Sequence, residues 1–345
     1  MPRSPAPLQH STMTYPRAHL VDQQNGGYYH CISRCVRQSW LCGIDHQSGK
    51  SYEHRRIWIA KRIQLLTSLF AVDVYAYAIM SNHYHLVIRL DPRRTKDWTD
   101  TDIVDRWLAR DGVKRSRKDL SIRRKSLLEH PEKIEQVRNR LGSLSWFMRH
   151  INEPIARIAN GEDECTGRFW EGRFKSVALL DRTALLACMV YVDLNPVRAN
   201  AAAKVPSPYT SAQQRVRKKQ KSLATLDAIG TTLQEYLGLL RWTRKQKQGA
   251  RESSIATKSV MLRSIQQNSM SWQHWIDSYS HWHRAYGSKK SLDEYAKKLG
   301  QNWLQAPKLR TIQGDSPLDK ATEALMHKIK HSPSERSSKR ISFRQ

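Results

Sequence analysis

The amino-acid sequence predicts an α+β fold, and three observations carry this prediction. Residues 28–35, 73–79 and 83–90 are short runs rich in β-branched and aromatic residues, as strands are. Residues 54–70 and 143–159 repeat apolar residues at the 3.6-residue period of an amphipathic helix. The chain has 345 residues, which is enough for one sizeable core with additional elements.

The first half of the chain reads as strand, helix and hairpin in order. Gly26 and Gly27 precede the strand at 28–35, and the three residues 80–82 form a short turn between the strands at 73–79 and 83–90. The helix at 54–70 has one apolar face, made by Ile59, Ile63, Leu66 and Phe70.

The second half begins with an interruption. Residues 91–140 are strongly charged, and we interpret them as an inserted helical element rather than core. After the helix at 143–159, residues 166–177 carry Gly, Arg and aromatic residues and are expected to end in a strand. Asp181 is a plausible N-cap for a helix that reaches Asn195 and is closed by Pro196.

The charge balance predicts a polyanionic partner. Lys and Arg number 59 against 31 Asp and Glu, a formal net charge of +28, and residues 201–345 alone hold 27 basic and 10 acidic residues. Nucleic acid is the simplest partner, because each neutralised phosphate releases counterions. A basic disordered tail and a membrane-surface protein are the alternatives. No apolar run approaches the ~20 residues that span a bilayer, and the polar start lacks a secretion signal, so we expect a cytoplasmic, nucleoid-associated protein.

Five cysteines do not indicate a disulfide framework, because their number is odd and the chain is long. A zinc site near Cys31, Cys35 and Cys42 is conceivable with His30 and His46. The spacing fits no C-x-x-C pattern, however, and Cys31 falls inside a predicted strand, which disfavours zinc.

The segment His83-Tyr84-His85 places two imidazoles on one face of the third predicted strand, because side chains alternate across a strand. Two imidazoles at this spacing can share a divalent metal. Two surface histidines on a half-solvated sheet are the alternative reading of this segment taken alone.

A second segment brings a phenol and an amide together. Tyr191 and Asn195 are four residues apart on the predicted helix, so they lie one turn apart on the same face. The phenol is a potential nucleophile toward phosphorus, and the amide oxygen is a potential metal ligand. A buried tyrosine and a C-terminal cap asparagine are the alternative.

A third segment, residues 167–175, interleaves basic and aromatic residues. Cations that follow phosphates beside rings that stack on bases suit a single-stranded nucleic acid. An amphipathic strand that packs Phe and Trp inward explains the same pattern. The candidate DNA contacts, here and elsewhere, are Arg34, Arg168, Trp170, Arg173, Lys175 and Arg198.

Taken in order, these segments resemble the single-tyrosine HUH transposases, in particular the REP-associated tyrosine transposase branch. The resemblance covers about residues 27–200, apart from 91–140. It rests on the segments Tyr29–Arg34 (YHCISR), Ala76–Val87 (AYAIMSNHYHLV), Ser145–Met148 (SWFM), Trp170–Ser176 (WEGRFKS) and Tyr191–Ala199 (YVDLNPVRA).

The resemblance implies a fold and a set of roles. The fold would be a ferredoxin-like or RRM-like antiparallel sheet with helices on one face. His83 and His85 would be the metal-binding pair, Asn195 the third ligand and Tyr191 the nucleophile, with Mg²⁺ or Mn²⁺ as the cofactor. The implied activity is nicking and joining of single-stranded or hairpin DNA at repeat or element ends through a 5′-phosphotyrosine, in a monomer or a homodimer.

These expectations divide the chain into a disordered lead-in (1–25), a transposase domain (26–200, with the 91–140 insertion), a basic Trp-rich helical extension (201–330) that we expect to bind DNA, and a disordered tail (331–345). Two other functions stay open. A catalytically idle DNA-binding protein or repressor has the same fold and charge, and an RNA-binding or RNA-cleaving protein suits the same sheet type.

Overall fold

The computed structural model describes residues 21–36, 40–45, 48–113, 115–199, 204–217, 223–247, 260–281, 283–302 and 304. The predicted tail at 331–345 lies outside the described residues, as does the predicted lead-in as far as residue 20. Residues 21–25 form a turn with Val21 buried. No helix in the described part of the chain is long and apolar enough to cross a membrane.

A five-stranded sheet forms the centre of the fold, and its order is β2-β3-β1-β4-β5. The first four of these strands are antiparallel to their neighbours, whereas β5 runs parallel to β4. The sheet is therefore mixed at one edge, where a purely antiparallel one was expected. The strands are β1 (Gly27–Arg34), β2 (Val72–Ile79), β3 (His83–Leu90), β4 (Lys175–Leu179) and β5 (Ala285–Tyr286).

One face of the sheet is covered by α1 (His54–Leu69) and α5 (Leu144–Glu162). With β1 to β4 these two helices complete a β-α-β-β-α-β order. Alternating residues of β1 and β3 pack against them, among them Tyr29, Tyr84 and Leu86.

The opposite face is covered as well, by α6 (Arg182–Arg198). The expectation of helices on one face only is therefore wrong. From Ala184 to Pro196 every residue of α6 is buried. A helix that is apolar on all sides must be covered on all sides, so α6 lies between the sheet and a further layer of helices.

That further layer comes from the C-terminal part of the chain. Trp242, Trp272 and Trp275 are buried in the same apolar cluster as α6, so this cluster spans both sides of the predicted boundary at residue 200. Several short helices were predicted here, and the structure contains α7 (Ser211–Val216), α8 (Leu233–Lys247), α9 (Val260–Gln267), α10 (Ser269–Ser278) and α11 (Lys289–Lys298).

The inserted segment is helical, as predicted, but its exclusion from the core is wrong. It contains a 3₁₀ turn at Pro92–Lys96 and three helices, α2 (Asp100–Ala109), α3 (Arg117–Leu128) and α4 (Pro131–Leu141). The helices α2 and α4 place six apolar side chains in the core beside α1 and α5, namely Ile103, Val104, Trp107, Ile134, Val137 and Leu141. Only α3 has no buried residue, so the abundance of charge in the segment hides two amphipathic helices.

The helix α6 begins as predicted and ends later than predicted. Asp181 caps it by accepting a 2.8 Å hydrogen bond from the backbone N–H of Ala184. Pro196 does not close it; the helix continues to Arg198, and the N–H of Ala199 donates to Asn195 O over 2.9 Å. Dense packing on all sides outweighs the one backbone hydrogen bond that Pro196 removes. Arg198 is thereby carried onto the same helix face as Tyr191 and Asn195.

Candidate active site

Three histidines meet on the sheet face that α6 covers. His83 and His85 lie on β3, and His30 lies beside them on β1, where Ile32 is paired with His85. His83 Nε2 is 3.0 Å from His85 Nε2, and His30 Nε2 is 2.9 Å from His85 Nδ1. His30 and His85 are buried, whereas His83 at the strand end is only partly so. The prediction that His83 and His85 share one face is confirmed.

The partner of His83 defines which of its ring nitrogens carries a proton. Asn82 Oδ1 lies 2.6 Å from His83 Nδ1, and because a carbonyl oxygen can only accept, His83 Nδ1 donates. Burial, together with a smaller contribution from the Arg34 charge, lowers the pKa of His83 to about 4. The ring is therefore neutral near pH 7, and its Nε2 carries a lone pair directed at His85.

The same reasoning applies to His85, because burial holds its pKa well below the ordinary value of histidine. The amide nitrogen of Asn195 lies 3.2 Å from His85 Nε2 and donates to it. The single proton of the ring is then on Nδ1, where it is donated to His30 Nε2. Two lone pairs, on His83 and His85, consequently face each other across 3.0 Å.

This arrangement fits a divalent cation. Two donors that bind one ion at right angles, each at about 2.1 Å, are about 3.0 Å apart. Within the described residues no group of three or more His, Cys, Asp or Glu side chains is arranged to hold a metal by itself. A metal here would depend on His83, His85 and the Asn195 amide, which presents its oxygen to the same point when rotated by half a turn.

Tyr191 lies directly beside this pair. Its ring centroid is 5.8 Å from that of His85, at an interplanar angle of 89°, and 6.1 Å from that of His30. All of these residues belong to one chain, so the phenol and the histidine pair meet without a contribution from a second subunit. Tyr279 of the C-terminal region also packs against the Tyr191 ring, with 5.7 Å between the ring centroids.

Burial and the nearby positive charges have opposite effects on the pKa of the Tyr191 hydroxyl. Burial, which leaves the Tyr191 residue 8% exposed, has the largest effect and keeps the pKa of its hydroxyl above the ordinary value, although Arg198, a hydrogen bond from Asn195 and Arg34 each lower it. The guanidinium of Arg198 lies 5.2 Å from the centre of the Tyr191 ring and forms a 3.0 Å ion pair with Asp277 of α10. The C-terminal region therefore holds a cation over the phenol.

The predicted DNA contacts fall into two groups. Arg34 and Arg198 lie at the site, since both act electrostatically on Tyr191. Arg168 and Arg173 are exposed on the segment that leads into β4, and Lys175 is exposed as the first residue of that strand.

Trp170 differs from the other candidates in its surroundings. Its Nε1 donates to Asn152 O over 2.8 Å, and its ring packs against Tyr84 at 5.8 Å, on the face opposite the histidines. The alternative in which this tryptophan packs inward therefore describes it better than stacking on a base. Of the three N-terminal cysteines, Cys31 packs on the face opposite the histidine pair. Burial raises the pKa values of the Cys35 and Cys42 thiols to about 11 and 12.

Sequence reasoning considered His30 only for a disfavoured zinc site and did not place it beside His83 and His85. The sequence does show His30 as a polar residue within an apolar strand. This position indicates a role in the site only when the pairing of β1 with β3 is known. By accepting from His85 Nδ1, His30 keeps His85 in the tautomer whose Nε2 faces His83.

The buried histidines predict a specific acid sensitivity. Five histidines of the described residues have folded-state pKa values below the ordinary value of 6.5, mainly through burial: His30 (about 3), His83 (about 4), His150 (about 4), His85 and His283. Below pH 6.5 the unfolded chain takes up protons that the folded chain does not. Stability should therefore fall with decreasing pH, by at most about 1.4 kcal/mol per pH unit for each histidine.

Urea unfolding in the presence of a chelator, between about pH 7 and pH 5, measures this dependence. His30→Gln, which preserves an acceptor for His85, should make the dependence shallower by about one proton. An unfolding free energy that does not change over this interval would contradict the burial of these rings.

No protein-family model and no curated protein matches the chain. A solved structure of a REP-associated tyrosine transposase bound to a REP hairpin aligns with 58% of this chain and 86% of its own length. The sequence identity is 12% and the TM-score is 0.34. The functional interpretation therefore depends on the geometry of the site described above.

Proposed function

We propose that this protein is a metal-dependent endonuclease and strand transferase of the transposase type, which acts on single-stranded, hairpin-forming DNA ends through a 5′-phosphotyrosine. The observation that carries the proposal is the meeting of the Tyr191 ring with two imidazole lone pairs that face one another across 3.0 Å. A nucleophile beside a cation site is what phosphodiester transfer requires.

In this reaction the Tyr191 oxygen attacks the scissile phosphorus and loses its proton, the bond from phosphorus to the 3′-oxygen breaks, and the departing 3′-oxygen takes up a proton to become a hydroxyl. Arg198 and Arg34 stabilise the phenolate, since both lower the pKa of Tyr191 against the effect of burial. His83, His85 and Asn195 would hold Mg²⁺ or Mn²⁺, which supplies Lewis-acid polarisation of the phosphate. The 3′-hydroxyl product can attack the phosphotyrosine in reverse, so joining needs no ATP.

Over the residues that the structure describes, the site is exposed at one end only, and a phosphate can approach it from there. His30, His85, Asn195 and Tyr191 are all buried, whereas Asn82 and Arg34 are exposed and His83 is partly so. We therefore place DNA entry at the end of the sheet where β1 ends and β3 begins. The exposed Arg34 lies there as a first contact for the backbone.

The decisive experiment incubates the purified protein with Mn²⁺ and end-labelled single-stranded hairpin DNA and looks for a covalent protein–DNA adduct on a denaturing gel. We expect an adduct with the wild type, and none with Tyr191→Phe although this variant still binds the DNA. A wild type that binds DNA but forms no adduct with Mn²⁺ or Mg²⁺ supports the idle DNA-binding alternative. Stronger binding of an RNA hairpin of the same sequence supports the RNA alternative.

A further inference from the structure

A second candidate site lies on the opposite side of the sheet from Tyr191. The helices α2 and α4 of the insertion form a groove with α5, and its volume is about 330 Å³. We name it the Arg–Trp groove, and its principal lining residues are Trp107, Trp146, Arg110, Arg140, Arg149 and Arg157.

Arginines lie over both indoles of the groove. The Arg110 guanidinium is 3.9 Å from the centre of the Trp107 ring, and those of Arg140 and Arg149 are 4.5 and 5.1 Å from the centre of the Trp146 ring. Stacking does not itself use the N–H groups of a guanidinium. Arg110 donates one of them to Trp107 O at 2.5 Å, whereas those of Arg140 stay available for a phosphate.

The groove has more cations than its own carboxylates can neutralise. Four arginines face two acids: Asp111 pairs with Arg110 at 3.6 Å, and Glu153 pairs with Arg149 at 3.1 Å and Arg157 at 3.6 Å. No carboxylate of the described residues lies within 4.0 Å of the Arg140 guanidinium. Arg140 is therefore the cation of this groove with the least local compensation.

The groove also contains a polar atom that lacks a partner. The His150 ring packs against Trp107 at 5.5 Å and Trp146 at 5.8 Å, and its Nε2 is buried with no hydrogen-bond partner among the described residues. Buried polar groups are nearly always hydrogen-bonded, so this nitrogen is an available contact for a polar group of a ligand.

The geometry points to the Arg–Trp groove as a second binding site for single-stranded DNA, which holds one phosphate on Arg140 and one base against the half-buried Trp146. Planar cations that have spare N–H groups beside aromatic rings are the combination that binds an unpaired nucleotide. This inference rests on the proposed function only for its ligand. The site itself is separate from Tyr191, because it lies across the sheet and is built by α5 together with residues of the insertion.

The test measures binding of a fluorescein-labelled oligo(dT) strand of about 20 nucleotides by anisotropy, in a Tyr191→Phe background so that no covalent step occurs. Arg140→Gln should weaken binding about tenfold. The slope of the logarithm of the binding constant against the logarithm of the salt concentration should decrease by about one released counterion. Trp146→Leu should weaken binding by a similar factor. The matched control is Arg123→Gln on α3, which removes the same charge from an exposed arginine outside the groove; it should change affinity less than twofold.

Equal effects of Arg140→Gln and Arg123→Gln would overturn the inference, as would unchanged binding by Trp146→Leu. Arg140→Lys serves as the folding-safe variant. It keeps the charge but loses the planar stack, so intermediate binding at an unchanged unfolding temperature supports the inference, and wild-type binding contradicts it. Adduct formation is measured separately, with the protein that retains Tyr191. A groove effect without any adduct leaves this site standing while the nuclease proposal fails.

Discussion

His85→Ala is expected to lower the rate of adduct formation by about 10³-fold or more. His85 is the one side chain that touches every part of the site: His83 at 3.0 Å, His30 at 2.9 Å, Asn195 at 3.2 Å and the Tyr191 ring at 5.8 Å between centroids. Removing it takes away one of the two facing lone pairs and also the contact that orients Asn195.

The rate is measured at saturating hairpin DNA, so that a change in affinity does not enter. His130→Ala, at the start of α4 in the insertion, removes an imidazole far from the site and should leave the rate unchanged. A His85→Ala protein that forms the adduct at the wild-type rate would contradict the proposed cation site. His83→Ala should act in the same direction, because it removes the opposing lone pair.

Asp193→Ala is expected to destabilise the protein by about 3–5 kcal/mol. Asp193 is buried in α6 and accepts from Ser211 Oγ at 2.7 Å, from the Ala212 N–H at 3.0 Å and from Tyr236 Oη at 2.6 Å. Its loss leaves three buried donors without an acceptor. All three belong to the C-terminal region, so this carboxylate is the polar connection between α6 and the layer that covers it.

Chemical unfolding measures the change, and limited proteolysis after residue 200 should accelerate in parallel. Asp193→Asn retains one acceptor oxygen and should lose less stability than the alanine variant. Asp119→Ala, which removes a half-exposed carboxylate paired with Arg123, is the control and should cost less than about 1 kcal/mol. An Asp193→Ala protein as stable as this control would show that the C-terminal layer does not depend on the carboxylate.

The local pattern of the sequence was sufficient for the elements that have one dominant periodicity. The strand pair around residues 80–82, the helix from His54 and the cap at Asp181 lie where the residues predict them. The alternation of a strand also places His83 and His85 on one face. These features depend only on neighbours within a few residues, which the sequence displays directly.

Features that depend on partners far along the chain were predicted less well. The charge of residues 91–140 concealed Trp107 and Val137, because an amphipathic helix needs only one apolar face to join a core. The continuation of α6 past Pro196 follows from packing on all its sides, which no local rule for proline includes.

By itself the sequence determined the α+β class, the shared face of the 83–85 pair and the shared face of Tyr191 and Asn195, since each follows from a fixed backbone period. Only the tertiary structure decided that these two faces meet, that His30 completes the histidine cluster and that Arg198 lies over the phenol. The physical reason is that a backbone period states which way a side chain points, whereas its partners depend on strand pairing and on which helix covers the sheet.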